Sequence, residues 1–127
     1  TLETGDQIYR NCHNNRARAI WEDAKMRGVE FRAVGNEPGW YLEISNATDL
    51  LLVTDFGNKR HMLNLQILFI DAHQRRTEYH AKHGKPALHL VIEGVECRDT
   101  MSGETFEATV SVTLENRTYQ GCGRSLH

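Results

Sequence analysis

The sequence predicts a small, mainly β protein: an antiparallel β-barrel or meander of about eight strands, with one N-terminal α-helix packed on it. Two observations carry this prediction. One amphipathic stretch with helical spacing lies before residue 28, and from Phe31 onward short apolar and polar alternations follow one another between turn-forming residues. At 127 residues, the chain is long enough for one domain with a real core and has no room for a second.

Composition narrows the possible partners. The 15 Lys and Arg residues are balanced by 17 Asp and Glu, so the net charge of −2 lacks the basic footprint of a nucleic-acid binder. The longest apolar run, Leu65 to Ile70, is far shorter than the ~20 residues of a membrane span. The chain begins at Thr1 without a leader, so we expect any membrane association to depend on an N-terminal anchor removed from, or absent from, this sequence.

The N-terminal part divides into two predicted segments. Residues 1–13 are polar and are predicted to be loosely ordered. Residues 14–28 are predicted to form the helix, because Asn14 or Asn15 suits its N-cap and Gly28 its C-terminal end. The helical stripe contains Ala17, Ile20, Trp21, Ala24 and, at its border, Met26. Such a stripe must dock on the β domain, with Trp21 as the main anchor.

Residues 14–127 are predicted to form a single domain in which every element after the helix is a strand. Strands are predicted at 31–34, 40–45, 50–54, 63–69, 76–81, 87–95, 106–114 and 117–120. Within 63–69 we expect Leu63, Leu65, Ile67 and Phe69 to point inward. The clearest strand is 106–114, where apolar residues alternate strictly with polar ones, and Glu115-Asn116 turns it back into a hairpin.

Three motifs resemble a known group of proteins. They are Gly35-Asn-Glu-Pro-Gly-Trp40, then Cys97-Arg-Asp-Thr-Met-Ser-Gly103, then the closing Gly121-Cys-Gly. In this order they resemble bacterial cell-envelope lipoprotein domains of unassigned function, over about Phe31 to Leu126. The resemblance implies a signal-directed, often lipid-anchored domain that faces the periplasm.

A more distant similarity concerns the segment Ser102-Gly-Glu-Thr-Phe106. It resembles the SGxxY loop of the membrane-bound inhibitors of c-type lysozyme, with Phe106 at the tyrosine position. The WxxKG continuation of those inhibitors has no counterpart after Val112. This resemblance implies a small barrel that inserts a loop into a lytic enzyme.

The three cysteines allow three single pairings. In an oxidising compartment we predict a Cys97–Cys122 disulfide, since the terminal hairpin returns the chain to the same end of the sheet. The alternative is a reduced protein with buried thiols. Cys12 would be left free, as an unpaired or intermolecular thiol.

The motifs supply the candidate binding residues Asn36, Glu37, Trp40, Asp99, Ser102 and Glu104. We expect a non-enzymatic module that binds an unknown protein or small molecule of the cell envelope. One alternative is inhibition of a lytic enzyme through the loop Asp99 to Glu104. Another is an enzyme using Glu37, whose carboxyl pKa would be raised in a pocket beside Trp40. A structural role for Glu37, accepting hydrogen bonds from turn amides, is the simpler interpretation.

Cofactor and metal sites are not predicted. There is no phosphate-binding loop, dinucleotide fingerprint, or flavin or haem attachment motif. His80, His83 and His89 are placed to approach one another across a hairpin, but their spacing matches no strong zinc pattern. We therefore interpret the seven histidines as surface residues.

Overall fold

The computed structural model describes residues 19–36, 39–83, 86–99 and 102–126. Within these ranges ten strands follow one helix, and eight of the strands form a closed antiparallel barrel in the order β1-β10-β9-β6-β5-β4-β3-β2. The predicted fold class, an eight-stranded barrel with an N-terminal helix, is confirmed. The predicted loose segment 1–13, the first part of the predicted helix, and Cys12 lie outside the described residues.

The bounds of six of the eight barrel strands agree with the predicted ones to within two residues, whereas the fourth barrel strand along the chain begins four residues earlier, and the last one ends five residues later, than predicted. The barrel strands are β1 Val29–Asn36, β2 Gly39–Ser45, β3 Asp49–Thr54, β4 Lys59–Asp71, β5 Arg76–Ala81, β6 Leu88–Glu93, β9 Ala108–Leu114 and β10 Arg117–Ser125. A short 3-10 turn, Asp55–Gly57, joins β3 to β4. The chain segment that connects β6 to β9 contains two short strands, β7 (Cys97–Arg98) and β8 (Thr105–Phe106), which pair with each other as a separate two-stranded ladder.

The barrel interior is filled by one face of each strand. In β9 the alternation is complete, with buried and half-buried residues taking turns from Ala108 to Leu114. Trp40 and Tyr119 pack with ring centroids 6.2 Å apart at the end where β1 meets β2 and β9 meets β10. The residues that form this core are Ala33, Trp40, Leu42, Ile44, Leu50, Leu52, Leu65, Ala81, Leu88, Leu90, Val110, Val112, Leu114 and Tyr119.

Two glycines of β10 allow strand β1 and interior side chains to approach this strand closely. At Gly121 of β10, an added Cβ would lie 2.9 Å from the Trp40 ring and would collide with the Val34 carbonyl group of β1. At Gly123 it would collide with the ring of Phe31. Both positions therefore face the interior, so Cys122 between them faces outward.

The predicted orientation of the side chains of β4 is wrong at one position. Its pairing with β5 shifts between Ile67 and Phe69, so Leu68 is an extra, bulged residue. A one-residue insertion exchanges the two faces of a strand, and Phe69 consequently lies opposite the outward-facing Glu78 and is 49% exposed. The predicted inward orientation holds for Leu63 and Leu65 but is wrong for Phe69.

The helix, helical over residues 19–26, lies on the outer wall of the barrel. Ala24 is fully buried, and the Trp21 ring packs 5.7 Å from that of Phe106. Gly28 follows with φ of 89°, the left-handed conformation expected of a residue that ends a helix. Met26 is 85% exposed and lies off the apolar stripe.

Candidate functional site

The segment between β7 and β8 carries three of the predicted binding residues and is held by its own hydrogen bonds. The Asp99 amide donates to the Glu104 carbonyl (2.9 Å), and the Gly103 amide donates to the Asp99 carbonyl (2.7 Å). The Ser102 hydroxyl donates to Asp99 Oδ2 (2.8 Å) and accepts from the Glu104 amide (3.1 Å). Asp99 is half-buried, whereas Ser102, Gly103 and Glu104 are exposed. We call Asp99 and Ser102 to Glu104 the 99–104 loop; Thr100 and Met101 lie outside the described residues.

A disulfide fastens the 99–104 loop to the barrel. Cys97 and Cys122 are bonded, with their Cα atoms 5.4 Å apart, so the predicted pairing is confirmed. Because Cys122 faces outward from β10, the disulfide places the loop on the outer wall. The loop base is further closed by the β7–β8 ladder, in which Cys97 pairs with Phe106 and Arg98 with Thr105.

A surface depression of about 660 Å³ lies next to the disulfide and brings residues of all three sequence motifs together. Asp99 lines it from the loop, and Val34 and Gly35 line it from the end of β1, where the Gly-Asn-Glu-Pro-Gly corner begins. Its floor is the outer face of β9 and β10, which contributes Thr109, Thr118, Gln120 and Cys122. Hydroxyl, amide and carboxylate groups thus surround one concave surface.

The Gly35 to Trp40 corner is described only in part. Asn36 and Gly39 are paired across the β1–β2 hairpin, while Glu37 and Pro38 lie outside the described residues. The structure therefore does not test the proposed roles of Glu37. Trp40 is only 4% exposed and faces the barrel interior, and its indole Nε1 has no hydrogen-bond partner within the described ranges.

Sequence reasoning missed the group of side chains that joins the loop to the helix. The Arg124 guanidinium lies 4.7 Å from the Phe106 ring centroid and 5.3 Å from that of Trp21. It also approaches Glu104 of the loop at 3.9 Å and donates to the Thr105 carbonyl at 3.4 Å. One signal was present: Arg124 follows Cys122 by two residues, which places both on the outer face of β10.

A second missed cluster fixes the helix end to β1 and β2. Glu43 accepts two hydrogen bonds of 3.1 Å from the Arg27 guanidinium and one of 3.2 Å from Arg32. Arg32 is also held between the rings of Trp21 and Tyr41, 4.9 and 4.8 Å from their centroids. Burial alone would raise the pKa of the Glu43 carboxyl, but the hydrogen bonds and charges of the two arginines outweigh it and lower that pKa.

Of the described histidines, His80 and His89 lie on outer strand faces, His61 in β4 lies opposite the buried core residue Leu52, and His73 and His83 lie in turns. His80 and His89 pair with each other across β5 and β6, where His80 contacts Gln66 (3.3 Å) and His89 contacts Glu78 (3.0 Å). Across the described part of the chain, no group of three or more His, Cys, Asp or Glu side chains is placed to hold a metal ion.

Comparison with known proteins returned no match: no family model, no curated protein and no solved structure matches the chain. Within the described ranges, no helix has the length and apolar character needed to cross a membrane.

Proposed function

We propose that this protein is a non-enzymatic binding module of the bacterial cell envelope, facing the periplasm, which recognises a partner through the 99–104 loop and the depression beside it. The observation that carries the proposal is the set of contacts that holds the described residues of the loop. Asp99 and Ser102 to Glu104 are joined by four hydrogen bonds, and the Cys97–Cys122 disulfide fastens them to the barrel. A preordered loop loses little conformational freedom on binding, so more of its contact energy appears as affinity.

Two further observations support the envelope part of the proposal. Disulfides persist in oxidising compartments such as the periplasm and are rare in reducing ones. The three sequence motifs that resemble envelope lipoprotein domains include the disulfide cysteines and, among the residues that line the depression, Gly35, Arg98, Asp99 and Gly121.

The proposal is tested by placing a photo-reactive amino acid at position 105, the exposed residue next to the loop, in protein secreted to the periplasm. The control carries the same group at position 116, in the exposed β9–β10 turn far along the chain from the loop. We expect irradiation to capture one discrete partner at position 105 and not at 116. The partner should be lost when Glu104→Lys is added, while the matched charge change Glu115→Lys leaves it. An identical set of products from positions 105 and 116 would refute the proposal.

A second candidate function is inhibition of a lytic enzyme by the same loop. It is favoured by the exposure of Ser102, Gly103 and Glu104, which a loop that enters a cleft requires. A c-type lysozyme assayed with excess purified protein separates the two candidates. Loss of lytic activity that Glu104→Lys restores and Glu115→Lys does not would identify an inhibitor, whereas undiminished activity would eliminate this candidate.

A further inference from the structure

A second cavity, of about 480 Å³, opens at the barrel end opposite Trp40 and Tyr119. It lies among the first residues of β1, β5 and β9 and the last residues of β2 and β6. Its walls are the inward-facing apolar side chains Phe31, Ile44, Ile67, Tyr79, Ile92 and Ala108. The volume falls in the range of about 300–1,000 Å³ that is typical of small-molecule sites, and eight-stranded barrels are wide enough for one small ligand.

The barrel wall is open on one side of this cavity. Strand β3 pairs with β4 only as far as Asp49 and Asn64, and the Leu65 amide then bonds to the Thr48 carbonyl. Strand β4 continues to Asp71 without a described partner on that edge. Ile67 and Ala47 line the cavity on the two sides of the resulting slot.

Exposed apolar side chains border the slot. Leu68 at the bulge and Ile70 beyond it are 52% and 61% exposed. Ile70 lies opposite Thr77, which lines the cavity, so it extends the inward-facing row of β4 past the barrel wall. Contiguous exposed apolar residues beside a cavity are typical of a binding groove, and here they continue the apolar surface from the interior to the outside. An extended apolar chain fits such a path better than a compact polar molecule does.

Charges of both signs surround the mouth. Arg75, in the β4–β5 turn, makes no ion pair with any described residue. Glu30 accepts a hydrogen bond from the Ala47 amide (2.7 Å), and Glu107 accepts one from the Ser125 amide. Each carboxylate is thus held at the rim by a backbone group, and among the described residues no cation forms an ion pair with either one.

We propose that this cavity binds a single-chain amphiphile with a zwitterionic head group. The chain lies along Ile67 and Ile92 inside the barrel, the anionic part of the head group pairs with Arg75, and its cationic part lies between Glu30 and Glu107. A purely anionic head group would meet two carboxylates for one arginine, and a neutral one would use neither charge. The site is distinct from the 99–104 loop and goes beyond the proposed partner recognition.

Calorimetric titration with three probes that share one chain tests the proposal: myristoyl lysophosphatidylcholine, myristate and monomyristin, each below its micelle concentration. We expect saturable binding of one lysophosphatidylcholine per protein, about tenfold or more tighter than the other two. Absence of binding, or uptake of many molecules per protein, would overturn the proposal. Equal affinity for all three probes would overturn the head-group assignment.

Two pairs of variants locate the site. Ile67→Trp should fill the mouth and weaken binding about tenfold or more, while Phe69→Trp, on the outward face of the same strand, should leave it unchanged. Arg75→Gln should remove the preference for lysophosphatidylcholine over monomyristin, while Arg60→Gln, near the other end of β4, should keep it. Equal effects within either pair would contradict the assigned site. Glu104→Lys should not alter lipid binding, so this site and the loop are tested separately.

Discussion

Removal of the Cys97–Cys122 disulfide gives the sharpest quantitative test of the fold. The cysteines are 25 residues apart in sequence, and in the chain-entropy model a closed loop of that size stabilises the folded state by about 3.5 kcal/mol. For 127 residues, unfolding entropy is about 2.1 cal/mol/K per residue, so this loss corresponds to a fall in Tm of about 13 °C.

The assay is thermal unfolding followed by circular dichroism on Cys97→Ala/Cys122→Ala in a Cys12→Ser background, compared with the background alone. Alanine is used because Cys122 is buried and a serine hydroxyl there would need a partner. Adding a reductant should lower the Tm of the background protein toward that of the double variant, and should leave the double variant unchanged. A fall in Tm of less than about 4 °C would show that the disulfide is not a main source of stability.

Three further predictions follow from the packing. Trp40→Ala should lower the free energy of unfolding, measured in urea, by about 3–5 kcal/mol, because Trp40 lies in the core and is only 4% exposed. Trp21 is half-buried, so Trp21→Ala should lower it by less than half as much; the reverse order would contradict the fold. Gly121→Ala should lower the Tm more than Gly39→Ala, since an added Cβ collides with the Val34 backbone at Gly121 but meets only the ring of the exposed Phe56 side chain at Gly39; equal effects would count against the β1–β10 contact. The Glu43 carboxyl pKa is lowered in the folded state relative to about 4.3 in the unfolded chain, so its stabilising contribution is complete above that pH and is lost as the pH falls through the folded-state pKa. The Tm difference between wild type and Glu43→Gln should therefore shrink on acidification, and parallel pH profiles would exclude the Glu43 cluster as the cause.

The barrel strands were predictable because their signal is local. The alternation in 108–114 identifies a half-buried strand without any knowledge of its neighbours, and the turn residues after it identify the hairpin. The Cys97–Cys122 pairing followed from the same hairpin. Even so, the positive φ of the turn falls on Glu115, rather than on Asn116, where the residue preference for this conformation would place it.

Other features depend on contacts that composition does not record. The bulge at Leu68 changes which side of β4 faces the core, yet an extra apolar residue in an apolar run leaves no visible signal. Arg32 and Glu43 occupy outward positions that predict solvent exposure, but the helix covers them, and their exposures are 8% and 5%. The apolar stripe of the helix suits an outer wall as well as a barrel end, so the sequence alone did not decide between them.

The candidate site was predictable as a loop but not as a surface. The contact between Ser102 and Asp99 agrees with the short-range hydrogen bonding expected of a Ser–Asp turn. The neighbouring depression combines Asp99 with Val34 and Gly35, which are more than sixty residues away in the chain, and only the closed barrel brings them together. The roles of Asn36, Glu37, Trp40, Asp99, Ser102 and Glu104 in binding stay predictions.

The affinity of the partner captured at position 105 is the measurement that tests partner recognition most directly. It should be determined by calorimetric titration for the oxidised protein, for Cys97→Ala/Cys122→Ala, and for Glu104→Lys with its matched control Glu115→Lys. Because binding uses a loop ordered in advance, we expect the double alanine variant and Glu104→Lys each to bind about tenfold or more weakly, with Glu115→Lys unchanged. Equal affinity for all four proteins would show that the 99–104 loop is not the binding surface.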